Sequence, residues 1–222
     1  MPDMSTSPAR PLAPEPGLRE RKKQRTREAL IEAGFELFGR KGFEATTIEE
    51  IAEAVEVSPR TFFRYFATKE DVVLTVLDDQ VAAMLAAFLD RPAHEPVLTA
   101  MRHAMVGVAR ASERGESGFD PIRFACMNQL TAANPALAAR GMEHTAAKAD
   151  ALAEQIAVRM GVDPAADPRP LLVAVAVMCT VPAAILAWSP QEPDTPISEL
   201  AERAILLLEK GINYPAAKRA RR

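Results

Sequence analysis

A chain of 222 residues with 27 Lys and Arg against 30 Asp and Glu carries a formal charge of −3, so it has no surplus of cations to coat nucleic acid or an anionic membrane over its whole surface. Apolar residues make up 48% and charged residues 26%, which excludes a disordered chain and supplies a sizeable core. Alanine and leucine are abundant and β-branched runs scarce, so an all-α fold is expected.

Residues 1–17, MPDMSTSPARPLAPEPG, read as a disordered leader, since proline, serine and alanine cannot bury enough surface to order it. No basic-then-apolar secretion signal opens the chain. Cys126 and Cys179 sit among apolar neighbours as free thiols, and the expected location is the cytoplasm. The first helix is predicted to start at Leu18 or Arg19. Leu30, Ala33, Gly34, Leu37 and Phe38 form one apolar stripe, and Gly42 follows the terminal cations Arg40 and Lys41. Its opening, RERKKQRTR, is cationic enough to lie along a phosphate backbone, although most such runs are solvated helix starts.

Thr47 with Glu50 forms a capping box for a second helix, whose stripe is Ile48, Ile51, Ala52 and Val55. Ser58 caps a third helix, with Pro59 at the first helical position, where its missing N–H costs nothing. That helix is predicted to run about two turns, to Phe66, with Phe62 and Phe66 inward. Arg60, Thr61, Phe63, Arg64 and Tyr65 are left outward. Thr68 and Asp71 then box the start of a fourth helix, where Lys69 sits. A short helix held by its inner face suits the major groove of B-DNA: arginine reads guanine, and threonine or tyrosine meets phosphates or a thymine methyl.

The stretch TTIEEIAEAVEVSPRTFFRYFATKEDV resembles the signature of the tetracycline-repressor (TetR) family of bacterial transcriptional regulators. The likeness spans about residues 19–72. It implies a three-helix helix-turn-helix DNA-binding domain at 18–66, followed by a larger helical ligand-binding and dimerisation domain at 67–213 and a basic tail at 214–222. It also implies that Thr47, Ser58, Arg60, Thr61, Phe63, Tyr65 and Lys69 touch DNA. Two positions depart from the family pattern: Arg60 stands where glycine is usual, and Phe63 where a phosphate-binding tyrosine is usual. The operator therefore does not carry over from relatives.

Beyond residue 70, helices are predicted at about 69–90, 96–113, 121–132, 135–160, 167–188 and 197–211, separated by Pro- or Gly-marked breaks. The segment LLVAVAVMCTVPAAILAW is apolar all round. It reads as a helix buried on every side, pairing two copies of the chain together with the 197–211 helix, and not as a membrane span. In the segment from Met84 to Met142, Met84, Phe88, Met101, Met105, Phe124, Met127 and Met142 are expected to wall a ligand pocket, with His144 among the polar groups that orient a ligand and Arg123 or Arg102 as partner for an anionic end. The expected ligand is apolar or acidic, such as a fatty-acyl compound. The bland alternative for each methionine is plain core.

The histidines lack zinc spacing, and no CxxC pair, phosphate loop or nucleophile elbow occurs, so no cofactor, metal or catalytic residue is expected. The reading is a ligand-responsive repressor that binds a palindromic double-stranded DNA operator as a homodimer and is released by a small effector. A ligand-binding or carrier protein with a degenerate DNA reader is the alternative, and an enzyme the remoter one.

Overall fold

The computed structural model describes residues 17–211, so the leader (except Gly17) and the basic tail lie outside the described residues. Among the described residues there are ten helices: α1 (Leu18–Lys41), α2 (Ile48–Ala54), α3 (Pro59–Phe62), α4 (Lys69–Leu89), α5 (Val97–Arg114), α6 (Pro121–Ala133), α7 (Pro135–Ala146), α8 (Ala149–Met160), α9 (Arg169–Trp188) and α10 (Ile197–Lys210). No strand occurs among them.

Local chemistry sets most of the boundaries. Thr47 and Glu50 close the predicted capping box on α2, and Thr68 and Asp71 close the one on α4. Asp120 caps α6 and Asn134 caps α7, each followed by proline at the first helical position. α2 ends in a Schellman turn: Val57 N–H donates to the Ala52 carbonyl and Glu56 N–H to that of Glu53. Glu56 occupies the left-handed position of this turn, φ 56°, where glycine is the unstrained residue.

Two boundaries differ from the sequence reading. α3 is one turn of four residues, not two turns. Looser hydrogen-bonded turns carry the chain from Phe63 to Phe66. The predicted 135–160 helix is broken at Ala147–Lys148 into α7 and α8. No glycine or proline marks that break, and Lys148 leaves the helical path with its ammonium hydrogen-bonded to Asp78 on α4.

Two cores fill the molecule. One joins α1, α2, α3 and the start of α4 around Leu30, Ile51, Phe62 and Val72, with Phe124, Met127 and Leu137 added from α6 and α7. The other joins the end of α4 to α5, α8, α9 and α10 around Phe88, Met101, Ile156, Val177 and Ile205. α4 therefore belongs to both. α1 and α4 approach closely at Gly34, where an added Cβ would stand 2.9 Å from Val72 Cγ1. By length and composition α4 and α9 would each be apolar enough to cross a membrane, but α4 runs through both cores.

α9 departs from the expectation of burial on every side. Within one chain it packs on α7, α8 and α10, and leaves Leu171, Leu172 and Val175 on the surface, with Leu172 65% exposed. The helix continues through Pro182, which leaves the Met178 carbonyl without its usual donor. Both cysteines are free and half-buried, and burial pushes the Cys126 thiol up.

Candidate nucleic-acid interface and cavity

The short α3 has its register fixed at both ends. Ser58 Oγ accepts from Thr61 N–H at 3.2 Å and lies 3.0 Å from Thr61 Oγ1, so the two hydroxyls cap the helix together. On the inner side Phe62 is fully buried and Phe66 nearly so, their rings 5.6 Å apart, and the Arg27 guanidinium of α1 lies over Phe66 at 5.4 Å. Burying a phenylalanine contributes about 1.5–3 kcal/mol, enough to hold one turn of helix that could not form alone. With the inner side committed, Arg60, Phe63 and Arg64 are exposed, and Phe63 keeps 54% of its surface in solvent. Tyr65 is half-buried, with its hydroxyl accepting from Arg64 Nη2 at 3.2 Å and its ring beneath the same guanidinium. A phenylalanine flanked by two arginines on a solvent-facing turn offers an apolar contact and two forked donors to a base edge.

Thr47 is exposed at the α2 N-terminus, with its N–H and hydroxyl both donating to Glu50 Oε2. The ammonium of Lys41 donates to the other oxygen of that carboxylate. These contacts hold the Glu50 carboxyl down at about 2, Lys41 being the largest cause. The first turns of α1, Leu18 to Arg25, are exposed along their whole length.

Lys69 has a different task from the one the sequence suggested. Its Nζ donates to the Phe43 carbonyl at 2.7 Å, to Thr46 at 3.1 Å and to Glu44 at 3.4 Å, above the Phe43 ring. All three N–H bonds are thus spent on tying the α1–α2 loop to the start of α4, and none is left for a phosphate.

The predicted ligand walls divide. Met84, Met105, Phe124 and Met127 line a half-open, mainly apolar cavity of about 120 Å³, together with Leu77 and Gln80 of α4, Asn128 of α6, Thr145 of α7 and Met178, Val181 and Pro182 of α9. Phe88 and Met101 do not: they are 1% and 0% exposed in the second core, and the Arg159 guanidinium covers Phe88. Arg123 lies in a separate polar cleft of about 420 Å³ beside α1, ion-paired to Glu28 at 2.6 Å and Asp120 at 3.3 Å. Arg102 is held by Glu209 at 3.1 Å and Glu202 at 3.6 Å. His144 points to Asp78, with Nε2 at 2.7 Å. Neither arginine is thus placed to receive an anionic ligand end in the cavity. The sequence reading missed Gln80, Thr145 and the α9 wall. The Met-rich pattern marked the region, but nothing in it told which helix faces would leave a gap.

The cavity abuts the seam between α4 and α7. Arg140 Nη2 reaches Asp71 Oδ1 at 2.7 Å, and Asp78 takes His144 and Lys148 one heptad further along α4. Burial raises the Asp71 carboxyl, but Arg140 and the N–H groups of Thr68 and Ala67 outweigh it, and the net shift is downward. Asp71 is also the box residue at the N-terminus of α4, directly after the turns that follow α3. One side chain therefore joins the cap of α4 to the bundle.

Among the described residues no group of His, Cys, Asp and Glu is arranged to hold a metal. Residues 30–76 match the profile described as bacterial regulatory proteins, tetR family, and residues 95–213 match the MftR C-terminal domain. The HTH-type transcriptional regulator TcmR of Streptomyces glaucescens is 46% identical over 156 residues, a stretch covering 70% of this chain and 69% of TcmR. The fold resembles that of Thermus thermophilus FadR, a TetR-family repressor crystallised with lauroyl-CoA (TM-score 0.54, 24% identity, 86% of this chain and 97% of that one). It also resembles SmeT, the repressor of the Stenotrophomonas maltophilia multidrug efflux pump SmeDEF (TM-score 0.52, 14% identity, 86% and 94%). At those identities the two structures bear on the fold alone.

Proposed function

Because the chain belongs to the TetR family of transcriptional regulators, we propose that it is a repressor in the cytoplasm that binds a palindromic operator as a homodimer and releases it when a small apolar effector enters the cavity. The observation that carries this reading is the split personality of α3: Phe62 fully buried, Arg60, Phe63 and Arg64 exposed beside it. Arg60 and Arg64 read base edges or phosphates, Phe63 meets a thymine methyl, and the free end of α1 follows the backbone. Thr47, Ser58 and Thr61 sit at helix N-termini, where phosphate is favoured. Tyr65 reaches the backbone together with Arg64.

The homodimer is supported by the bare apolar face of α9 with Leu207 of α10. Two copies of α9 and α10 stacked on that face make a four-helix bundle and place two α3 helices on half-sites about one DNA turn apart. Release needs a ligand that favours one spacing of the two reading heads over another. An occupant would touch Leu77 and Gln80 of α4 and Thr145 of α7, and the Arg140–Asp71 pair carries their relative shift to the cap beside α3. For a fatty-acyl-like effector, the cavity supports the apolar part and offers no cation for the acid.

The test is binding of the full-length protein to DNA from upstream of its own gene, or to DNA selected from a random pool, at several salt concentrations. Affinity should fall steeply as salt rises. Arg60→Ala should cost about 1–3 kcal/mol on the selected site and less on random DNA. Lys69→Gln should lower thermal stability and leave the salt slope unchanged. Equal loss on both DNAs for Arg60→Ala would remove α3 as the base reader.

A further inference from the structure

None of the side chains around the cavity is charged, and the cations of the surrounding helices are committed: Arg102 to Glu202 and Glu209, Arg123 to Glu28 and Asp120, and Lys148 and His144 to Asp78. An ion placed among Met84, Met105, Met127 and Met178 would lose its hydration and gain no counter-ion. The polar groups that do line the space are neutral and under-used. Thr145 is 7% exposed, yet its hydroxyl makes no hydrogen bond among the described residues. Asn128 spends its amide N–H on the Phe124 carbonyl at 2.9 Å, and Gln80 spends its own on Ser112 Oγ at 3.4 Å. Both amide oxygens remain without a donor among the described residues. These oxygens are not sealed off from solvent, and each is free to accept a hydrogen bond from a molecule that enters the cavity.

Building on the effector reading above, we propose that the ligand of this cavity is an uncharged molecule, apolar over most of its surface, carrying one or two hydroxyl or N–H groups that bond to Thr145, Asn128 and Gln80. The space of about 120 Å³ is smaller than the cavity of about 150 Å³ that holds benzene, so a substituted ring enters only if the walls give or its far end leaves through the open side. Methionine walls adapt to larger shapes. Phe124, Asn128 and Ile197 also border an open groove of about 750 Å³ under residues 189–196, so a longer ligand extends past them. Thr145 lies one residue from His144 and one helical turn from Gly141; those two and Arg140 are the residues by which α7 grips α4. A ligand bonded there acts on the seam as well as filling space.

The experiment titrates full-length protein, methyl-labelled at methionine, with four probes of one shape: p-xylene, p-cresol, p-toluate and 4-methylbenzylamine, the last two ionised at neutral pH. The cavity methionine signals should move with p-xylene and p-cresol and stay still with both ions. p-Cresol should bind about 2–10-fold tighter than p-xylene, the ratio one neutral hydrogen bond supplies. Thr145→Val should abolish that advantage while p-xylene binding persists, and Thr145→Ser should keep it. Asn128→Leu repeats the test at the second polar group should Thr145→Val not fold. An ion that moves the signals as far as p-cresol does would overturn the assignment. So would silence with every probe, or an advantage intact in both Thr145→Val and Asn128→Leu. Operator affinity measured with p-cresol at saturation separates the two readings: moved methionines with unchanged DNA binding leave the ligand class standing and remove the effector role.

Discussion

The reading head of residues 18–66 and the bundle behind it use apolar side chains in opposite ways. In the head the core is full: Leu30, Ile51 and Phe62 are completely buried, Gly34 leaves no room for a methyl, and the outer face carries charge. In the bundle the core is hollow between α4, α6, α7 and α9, while Leu171, Leu172 and Val175 lie bare on the outside. A filled core holds Arg60 and Arg64 at fixed positions, as a surface meant to match a rigid duplex needs. A hollow core under an uncovered apolar face is the arrangement on which the proposed second copy and the proposed ligand both rest.

Charging the bare face should break the contrast most severely. Leu172→Glu with Val175→Glu should turn the protein monomeric in light scattering and lower operator affinity about 10²–10⁴-fold, the advantage of tethering two heads. An unchanged dimer would move the interface off α9.

The two cores should then answer differently to one added or exchanged methyl. Gly34→Ala presses a Cβ to 2.9 Å from the buried Val72 and should cost about 1–3 kcal/mol in urea unfolding. Thr145→Val exchanges a hydroxyl that bonds no described residue for a methyl against an apolar wall, and should leave the ligand-free protein as stable as before or up to about 1 kcal/mol more so. Equal signs would erase the distinction between full and hollow.

Smaller effects sharpen the description of the head. Glu56→Gly should gain about 0.5 kcal/mol, the left-handed strain relieved less the added chain entropy. The Glu50 carboxyl, ordinarily near 4.5, is held down at about 2 by Lys41 and Thr47. A group with a depressed folded pKa contributes stability above its unfolded value and loses it as pH falls through the folded one. The urea midpoint of the wild type should therefore decline between about pH 4.5 and 2. Glu50→Gln should make that decline shallower, with the remainder left to the other carboxyls held down by ion pairs, such as Glu95 beside Arg91.

How much of this was legible in the chain depends on the range of the interaction involved. Thr47–Glu50, Ser58–Pro59 and Thr68–Asp71 act within four residues, so the caps of α2, α3 and α4, and the inward turn of Phe62 and Phe66, could be read directly. Of the proposed DNA contacts, the surface positions of Arg60, Phe63 and Arg64 follow from that periodicity. The task of Lys69 does not, since its acceptors lie 23 to 26 residues upstream.

By itself, the sequence determined the all-helical class, the family and the amphipathic logic of the reading head, because caps and helical periods are short-range and each is written in a few adjacent residues. Only the tertiary structure decided that α7 and α8 part at Lys148, that Arg123 and His144 pair with Glu28 and Asp78, and which methionines border empty space. Those outcomes depend on which helix faces meet across distant stretches of chain. A methionine in a wall and a methionine in a core share the same local pattern, and only packing tells them apart.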